Sequence, residues 1–118
     1  MSKTYKVQWT SNAKEDLLHI VSLIKEDSPT IAREIYQKIK SKANSSNFFP
    51  LRGRVVPELQ KEGITMYREL ISSVWRIMYK VDNDTVYIMA IFDSRQNVEE
   101  LLLQKLLRGS MPTRQSNQ

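Results

Sequence analysis

The stretch VWRIMYKVDNDTVYIMAIFD, residues 74–93, is predicted to form two antiparallel β-strands joined by a tight turn. Asn83 and Asp84 lie between two apolar runs, and both residue types tolerate the positive φ angles that two-residue hairpin turns need. This turn fixes which residues face each other across the hairpin. The pairs predicted to form an apolar face, against which helices can pack, are Val81 with Val86, Tyr79 with Ile88, Ile77 with Ala90 and Trp75 with Phe92.

The opposite face of this hairpin is predicted to be half apolar, with Arg76 near its centre. Its members are Val74, Arg76, Met78, Lys80, Tyr87, Met89 and Ile91. Residues 67–71 form a preceding strand, and a turn at Ser72 and Ser73 would place Glu69 opposite Arg76. Such a cross-strand ion pair stabilises a sheet by roughly 0.2–1 kcal/mol. The alternative is an arginine held ready for a phosphate or a carboxylate, which its planar guanidinium binds with two hydrogen bonds.

Two helices are predicted before the sheet. The first begins at Asn12, a good N-cap residue with Glu15 at the capping-box spacing. The second runs from Pro29 to about Ala43, because Ser28 can cap it and proline fits the first helical position. Their short connection predicts an antiparallel hairpin, which must lie on the sheet to bury its apolar stripes.

Three further segments complete the predicted fold. Residues 5–9 alternate as a short strand does. Residues 98–108 read as a leucine-rich helix capped by Asn97, which can cover the second sheet face, and residues 109–118 as a disordered polar tail. The predicted fold class is α+β: an N-terminal helical hairpin on one face of a small antiparallel β-sheet, with a C-terminal helix, in a single domain over residues 4–108.

Composition excludes several kinds of site. The 118 residues contain no cysteine, one histidine and three glycines, so a disulfide framework, a usual zinc site and a glycine-rich phosphate loop are not expected. We therefore expect no cofactor and no metal. The first residues show no apolar run like that of a signal peptide, and no apolar run approaches the roughly 20 residues that span a bilayer, so we expect a cytoplasmic protein without a membrane partner.

The charge pattern favours an acidic partner without identifying one. The formal net charge is +5, which attracts anionic partners. Lys38, Lys40 and Lys42 crowd the end of the second helix, and we interpret them as favourable interactions with its C-terminal dipole rather than as a ligand site. Any chemistry would have to be led by arginines, with Glu58, Asp93 or a tyrosine for proton transfer.

The order of these segments resembles the RelE/ParE superfamily of bacterial type II toxins over nearly the whole chain. The residues that carry the resemblance are Ala13, Asp16, Leu17 and Ile20; Ser28, Pro29 and Ala32; Pro50, Gly53, Arg54, Val56, Pro57, Glu58 and Leu59; Tyr67, Arg68, Glu69 and Leu70; Trp75, Arg76, Ile77, Tyr79 and Val81; and Val86, Ile88, Ala90, Ile91, Phe92, Ser94 and Arg95. The resemblance implies the fold predicted above and a cognate antitoxin, often acidic. Such an antitoxin is expected to cover Met78, Met89 and Ile91 and to neutralise Arg76.

The superfamily divides by target. RelE-like members cleave mRNA in the ribosome, and that resemblance implies catalytic roles for Arg76, Arg95 and Glu58. Arg54, Arg68 and Lys80 are predicted to bind the substrate or target. ParE-like members instead inhibit DNA gyrase by binding it.

The sequence departs from the RelE-like nucleases after Arg95, where residues 101–103 are leucines and not the frequent histidine or tyrosine. Together with the segment GRVVPEL, residues 53–59, this departure favours ParE-like gyrase inhibition. RelE-like mRNA cleavage is the alternative. A further alternative is an inactive remnant that binds a partner or nucleic acid.

Overall fold

The computed structural model describes residues 4–47, 50–109 and 111, which fold as a five-stranded mixed sheet with helices on both faces. The strand order is β1-β5-β4-β3-β2. The elements in chain order are β1 (Lys6–Trp9), α1 (Ser11–Asp27), α2 (Pro29–Asn44), a 3-10 turn (Ser45–Asn47), β2 (Arg54–Val55), α3 (Pro57–Gln60), β3 (Tyr67–Ser72), β4 (Trp75–Asp82), β5 (Thr85–Asp93) and α4 (Val98–Leu107). No helix in these residues is long and apolar enough to cross a membrane.

The predicted fold class is confirmed. Strands β3, β4 and β5 form the expected antiparallel meander, and α1 and α2 form the expected helical hairpin. Two strands extend the meander at its edges. β1 pairs with β5 in the parallel sense, and the two-residue β2 pairs with β3 in the antiparallel sense.

The caps of the two hairpin helices were predicted with different success. Ser28 caps α2 as expected, since its hydroxyl accepts from the Ile31 backbone N–H at 3.3 Å. The assignment of Asn12 as the α1 cap was wrong. Thr10 caps α1, and its hydroxyl accepts from the Ala13 N–H at 3.2 Å. The chain turns into α1 directly after β1, which leaves Asn12 inside the helix and aimed at the sheet.

A β-bulge in β5 changes which of its residues face the hairpin. Near the turn the pairing is as predicted, with Val81 opposite Val86 and Tyr79 opposite Ile88. Met89 is then an extra residue, because Met78 pairs with Ala90. The predicted pairs Ile77–Ala90 and Trp75–Phe92 were therefore wrong, and the pairs observed are Ile77–Ile91 and Trp75–Asp93.

The β3–β4 turn also differs from the prediction. Ser72 pairs with Trp75, so the two turn residues are Ser73, with φ 56°, and Val74. Glu69 is consequently opposite Met78 rather than Arg76. Since the shift is by an even number of positions, Glu69 and Arg76 stay on the same face as diagonal neighbours.

Each face of the sheet has its own core. The hairpin core contains Leu17, Ile39, Ile77, Tyr79, Val86, Ile88 and Ile91 among its buried residues. The core under α4 contains Val56, Leu59, Tyr67, Met78, Met89, Ala90, Phe92, Val98, Leu102 and Met111. Helix α4 therefore covers the face that bears Arg76, and Asn97 caps it as predicted, accepting from the Glu100 N–H at 3.1 Å.

The predicted disordered tail, residues 109–118, lies largely outside the described residues. Within it, the side chain of Met111 is buried in the core under α4. The disordered tail stays a prediction.

Candidate functional site

Arg76 is a buried arginine whose guanidinium is occupied on two sides by carboxylates. Its Nη1 and Nη2 donate to the two oxygens of Glu58 at 2.7 and 2.6 Å, in a bidentate pair. Its Nε donates to Glu69 Oε1 at 2.6 Å. The Arg76 side chain is 7% exposed and that of Glu69 is fully buried. The Glu69–Arg76 ion pair expected from the sequence is therefore present, and the fork of the guanidinium is occupied by Glu58 of the same chain.

The second oxygen of Glu69 extends this arrangement to Arg54, whose Nε donates to Glu69 Oε2 at 2.6 Å. We call these four residues, Glu58, Arg76, Glu69 and Arg54, the ion network. Each comes from a different element: α3, β4, β3 and β2. Arg54 lies at the open end, with a side chain 60% exposed. The ion network thus reaches from the core to the surface with two charges of each sign.

The hydrogen bonds of the ion network shift the pKa values of Glu58 and Arg76. Hydrogen bonds from Arg76 lower the pKa of Glu58 below its ordinary value of 4.5, and the same bonds raise the pKa of Arg76. A carboxylate with a depressed pKa is a weak base. Glu58 therefore stabilises the arginine well but is poorly suited to take a proton from a substrate hydroxyl.

The loop before β2 is held in place by Arg68 and Tyr79. Arg68 Nη1 donates to the Gly53 carbonyl at 2.7 Å, and the Tyr79 hydroxyl accepts from the Gly53 N–H at 3.0 Å. A Cβ at Gly53 would lie 2.4 Å from the Glu69 carbonyl oxygen, so the close approach requires glycine. Arg68, predicted to bind target, lies on the hairpin side of the sheet and fixes this loop.

Arg95 and Lys80 lie outside the ion network. Arg95 bonds to Asp93 through Nε at 2.9 Å and Nη2 at 2.7 Å, and its side chain is 68% exposed. It lines a groove with Lys38 and Trp75 on the hairpin side of the sheet. The Lys80 ammonium lies 5.9 Å from the centre of the Tyr87 ring. The structure thus brings Arg76, Glu58 and Arg54 together and leaves Arg95, Arg68 and Lys80 elsewhere.

The three residues predicted to face an antitoxin are buried in the chain itself. Met78, Met89 and Ile91 are 0%, 5% and 4% exposed. The expectation that they share one face was wrong for Ile91, which the bulge places in the hairpin core. Met78 and Met89 lie beneath α4. Contact between them and an antitoxin stays a prediction, and it would require α4 to move.

A polar cluster that was not predicted from the sequence connects α4 to α1. Lys105 Nζ donates to Asn12 Oδ1 at 2.9 Å and to Asp16 Oδ1 at 3.3 Å, while Asp16 Oδ2 accepts from the Ile91 N–H at 3.0 Å. Burial raises the pKa of Asp16, and the bonds from Ile91 and Lys105 partly offset this. The available signal was a lysine within the leucine-rich stripe of a helix.

Comparison with known proteins then identifies the family. A family model described as the ParE toxin of the type II toxin–antitoxin system parDE matches residues 7–98. The chain belongs to the ParE toxin family. A comparison with curated proteins gave no match.

Two solved structures share the fold of this ParE-family chain. The chromosomal ParDE toxin–antitoxin system from P. aeruginosa matches with a TM-score of 0.64 and 19% identity, over 78% of this chain and 98% of the other. The toxin–antitoxin complex RelBE2 from Mycobacterium tuberculosis matches with a TM-score of 0.51 and 19% identity, over 76% of this chain and 91% of the other. Both structures thus share the fold of this chain.

Proposed function

We propose that this ParE-family chain inhibits bacterial growth by binding DNA gyrase, and that a cognate antitoxin neutralises it. The observation that carries the choice of mechanism is the closed coordination of Arg76. All three donor nitrogens of its guanidinium are hydrogen-bonded to Glu58 or Glu69. An arginine in this state stabilises the fold and is not free to bind a scissile phosphate.

The other groups that RNA cleavage requires, a base and a second cation, are also poorly suited to those roles. In-line attack by a ribose 2′-OH needs a base for its proton and cations for the phosphate charge. Glu58, the candidate base, has a lowered pKa and is paired with Arg76. Arg95, the second candidate arginine, lies outside the ion network and is paired with Asp93. Inhibition by binding requires none of these groups to react.

Arg54 is the residue of the ion network that we assign to target contact. Its side chain is 60% exposed, while its Nε is held by the buried Glu69. A guanidinium fixed on one edge and open on the other can bind an acidic group of a partner without much loss of side-chain freedom. This assignment makes Arg54→Gln a direct test of the surface.

The antitoxin follows from the family and from the charge of the chain. Both solved neighbours are toxin–antitoxin systems. The formal charge of +5 favours an acidic partner. An antitoxin helix that displaced α4 would find the apolar residues Met78, Met89 and Phe92 beneath it.

RelE-like cleavage of mRNA is the second candidate, and one observation favours it. Glu58 and Arg76, two of the three residues to which the resemblance gives catalytic roles, are in direct contact, and Arg54 joins them through Glu69. For cleavage, an RNA phosphate would have to displace Glu58 from Arg76. Displacement would also release Glu58 to act as a base.

The two mechanisms are separated by adding purified chain to a gyrase supercoiling assay and, in parallel, to ribosomes programmed with mRNA. We expect supercoiling to be inhibited, and Arg54→Gln to weaken inhibition about tenfold, the loss of one good charged contact. Lys14→Gln, which removes an exposed charge on α1, serves as the matched control. Cleavage of mRNA without any effect on gyrase would overturn the proposal.

Expression of the chain alone in bacteria separates a toxin from an inactive remnant. We expect growth arrest that co-expression of the cognate antitoxin relieves. Normal growth with folded chain present would favour the remnant.

A further inference from the structure

A shallow polar groove of about 560 Å³ lies on the hairpin side of the molecule, and no residue of the ion network lines it. It lies between the second half of α2, the loop before β2 and the end of β3. We call it the lysine–serine groove, and its lining includes Lys38, Ser41, Lys42, Ser45, Arg52 and Ser72. Gln37 and one carboxylate, Glu34, complete it.

The donors of this groove have few partners within the chain. Lys38, Lys42 and Arg52 form no ion pair among the described residues, not even with Glu34, which lies one helical turn before Lys38. In the same part of the chain, the side chains of Ser41 and Ser72 make no hydrogen bond. Three cations and two free hydroxyls therefore face a space that holds one carboxylate.

The arginine of the groove is held in position. Arg52 Nη2 donates to Ser45 Oγ at 2.8 Å, and Ser45 Oγ donates to the Lys42 carbonyl at 2.6 Å. The remaining guanidinium donors of Arg52 are thereby presented at the end of α2. Lys38 and Lys42 are one helical turn apart, so they lie on the same face of α2.

The dipole of α2 explains only part of this arrangement. Lys42 lies in the last turn of α2, where a cation is favourable. Lys38 lies before that turn, and Arg52 comes from a different segment. The dipole of α2 therefore does not explain why the fold brings Lys38 and Arg52 to the same groove.

A second groove, of about 380 Å³, continues the first. The two share Lys38 and Ser72, and the second reaches Trp75 and Arg95. Arg95 is oriented by its bonds to Asp93, and the Trp75 side chain is half-buried. A row of cations and hydroxyls thus leads to an aromatic ring.

We propose that these two contiguous grooves bind a single strand of nucleic acid, with phosphates on Lys38, Lys42 and Arg52 and a base against Trp75. Cations and hydroxyls recognise the phosphate backbone, and a tryptophan provides the stacking surface that sequence-tolerant strand binders use. The inference goes beyond the proposed function, since it concerns a different surface and does not depend on which target the toxin inhibits.

The test is fluorescence anisotropy of a labelled dT12 oligonucleotide titrated with the purified full chain at several salt concentrations. We expect the double variant Lys38→Gln/Arg52→Gln to bind about tenfold more weakly, with the salt slope reduced by about 1.4, the value for two lost single-strand phosphate contacts. The matched control is Lys6→Gln/Lys14→Gln, which removes the same charge from exposed positions on β1 and α1. It should bind within about twofold of the parent chain, because those residues contact no phosphate.

Trp75 gives an independent readout. A Trp9→Phe chain retains Trp75 as its single tryptophan, and stacking of a base should quench its fluorescence. Equal weakening by the groove and control variants, or no quenching on binding, would overturn the proposal. Displacement of dT12 by micromolar inorganic phosphate would show that the site binds one isolated phosphate. That result would overturn the proposal that a strand is bound. Binding of polyglutamate but not dT12 would identify an acidic peptide site and would overturn it also.

Discussion

Glu69 Oε1 lies 2.6 Å from Arg76 Nε, and the same carboxylate places Oε2 2.6 Å from Arg54 Nε. Glu69 is therefore the buried centre of the ion network, with a side chain fully removed from water. Arg76 depends on this carboxylate, because it would otherwise lose a partner in a medium of low dielectric constant, whereas the exposed half of Arg54 lies in water.

Glu69→Gln should destabilise the chain by about 3 kcal/mol, as expected when one partner of a buried ion pair is removed. Arg54→Gln should cost less than about 1 kcal/mol, because water can replace its exposed half. Urea denaturation of the two variants and the parent chain measures both values. Equal losses for the two variants would show that Glu69 is not the centre of the ion network.

The pairing of Glu58 with Arg76 predicts a loss of stability in acid. Because Arg76 lowers the folded-state pKa of Glu58 below 4.5, the pair contributes its full stability above that pH. The contribution is lost as the pH falls through the lowered folded-state pKa, since the unfolded chain binds the proton more readily. The free energy of unfolding of Glu58→Gln should therefore approach that of the parent chain as the pH falls from 7 towards 3. A constant difference over this range would contradict the assignment.

Asp16 and Lys105 should be thermodynamically coupled and should respond to pH in the opposite sense. Lys105→Met removes the ammonium group that pairs with the Asp16 carboxylate and should lower the free energy of unfolding by about 2 kcal/mol at pH 7. Much of this loss should be recovered when Asp16→Asn is added. Burial raises the pKa of Asp16 above 3.8, so its protonated form favours folding. Protonation of Asp16 therefore stabilises the fold in acid. This contribution to the free energy of unfolding is lost as the pH rises through the folded-state pKa of Asp16.

A double-mutant cycle over this pair in urea measures the coupling directly. Lys61→Met provides the control, because its pair with Glu99 is exposed and should make no measurable contribution. Additive effects of the Asp16 and Lys105 substitutions would refute the coupling.

Gly53→Ala should destabilise the loop that leads into β2. The new Cβ would lie 2.4 Å from the Glu69 carbonyl oxygen and 2.6 Å from the Tyr79 hydroxyl, and the backbone oxygen cannot move without disturbing β3. We expect a cost of about 2 kcal/mol, typical of overpacking. Gly63→Ala is a useful comparison, since that glycine has φ +79° and no atom near its missing Cβ, so only backbone strain of about 1 kcal/mol is expected. Equal stability of Gly53→Ala and the parent chain would contradict the close approach.

The parts of the fold that sequence analysis predicted correctly depend on local patterns. The Ser28–Pro29 start of α2, the Asn83–Asp84 turn and the Asn97 cap of α4 each follow from the chemistry of a few consecutive residues. The position of α4 followed from a simple physical need, because a leucine-rich helix must bury an apolar stripe. Leu102 is buried in the core under α4, while Leu103 and Leu107 stay exposed.

The parts that were missed depend on contacts between distant segments. The bulge at Met89 is not visible in β5, where Ala90 and Phe92 continue the alternation. The Met89 carbonyl accepts from Asn12 Nδ2 at 2.8 Å. The N–H of Ile91, two residues further on, donates to Asp16. These partners lie more than 70 residues away, so the local pattern could not indicate that β5 changes face.

The candidate site shows the same division. Sequence analysis placed Glu69 and Arg76 on one face in spite of a wrong register, since an error of two positions preserves the side of a strand. The resemblance grouped Glu58 with Arg76, but no local pattern predicts that Glu58 pairs directly with this guanidinium, 18 residues further along the chain. It also grouped Arg95 with Arg76, although the chain after β5 carries Arg95 to the opposite side of the sheet.

The ion network has a consequence for how partners first meet this molecule. Its two arginines and two glutamates cancel, so the net charge of +5 belongs to the rest of the chain. Charges that cancel over a few ångströms produce almost no field beyond a Debye length of about 10 Å. An approaching anionic molecule should therefore be guided by the lysines and arginines outside the ion network, and the contact proposed for Arg54 would form only after the encounter. Salt should slow the encounter while leaving the lifetime of contacts at Arg54 far less affected.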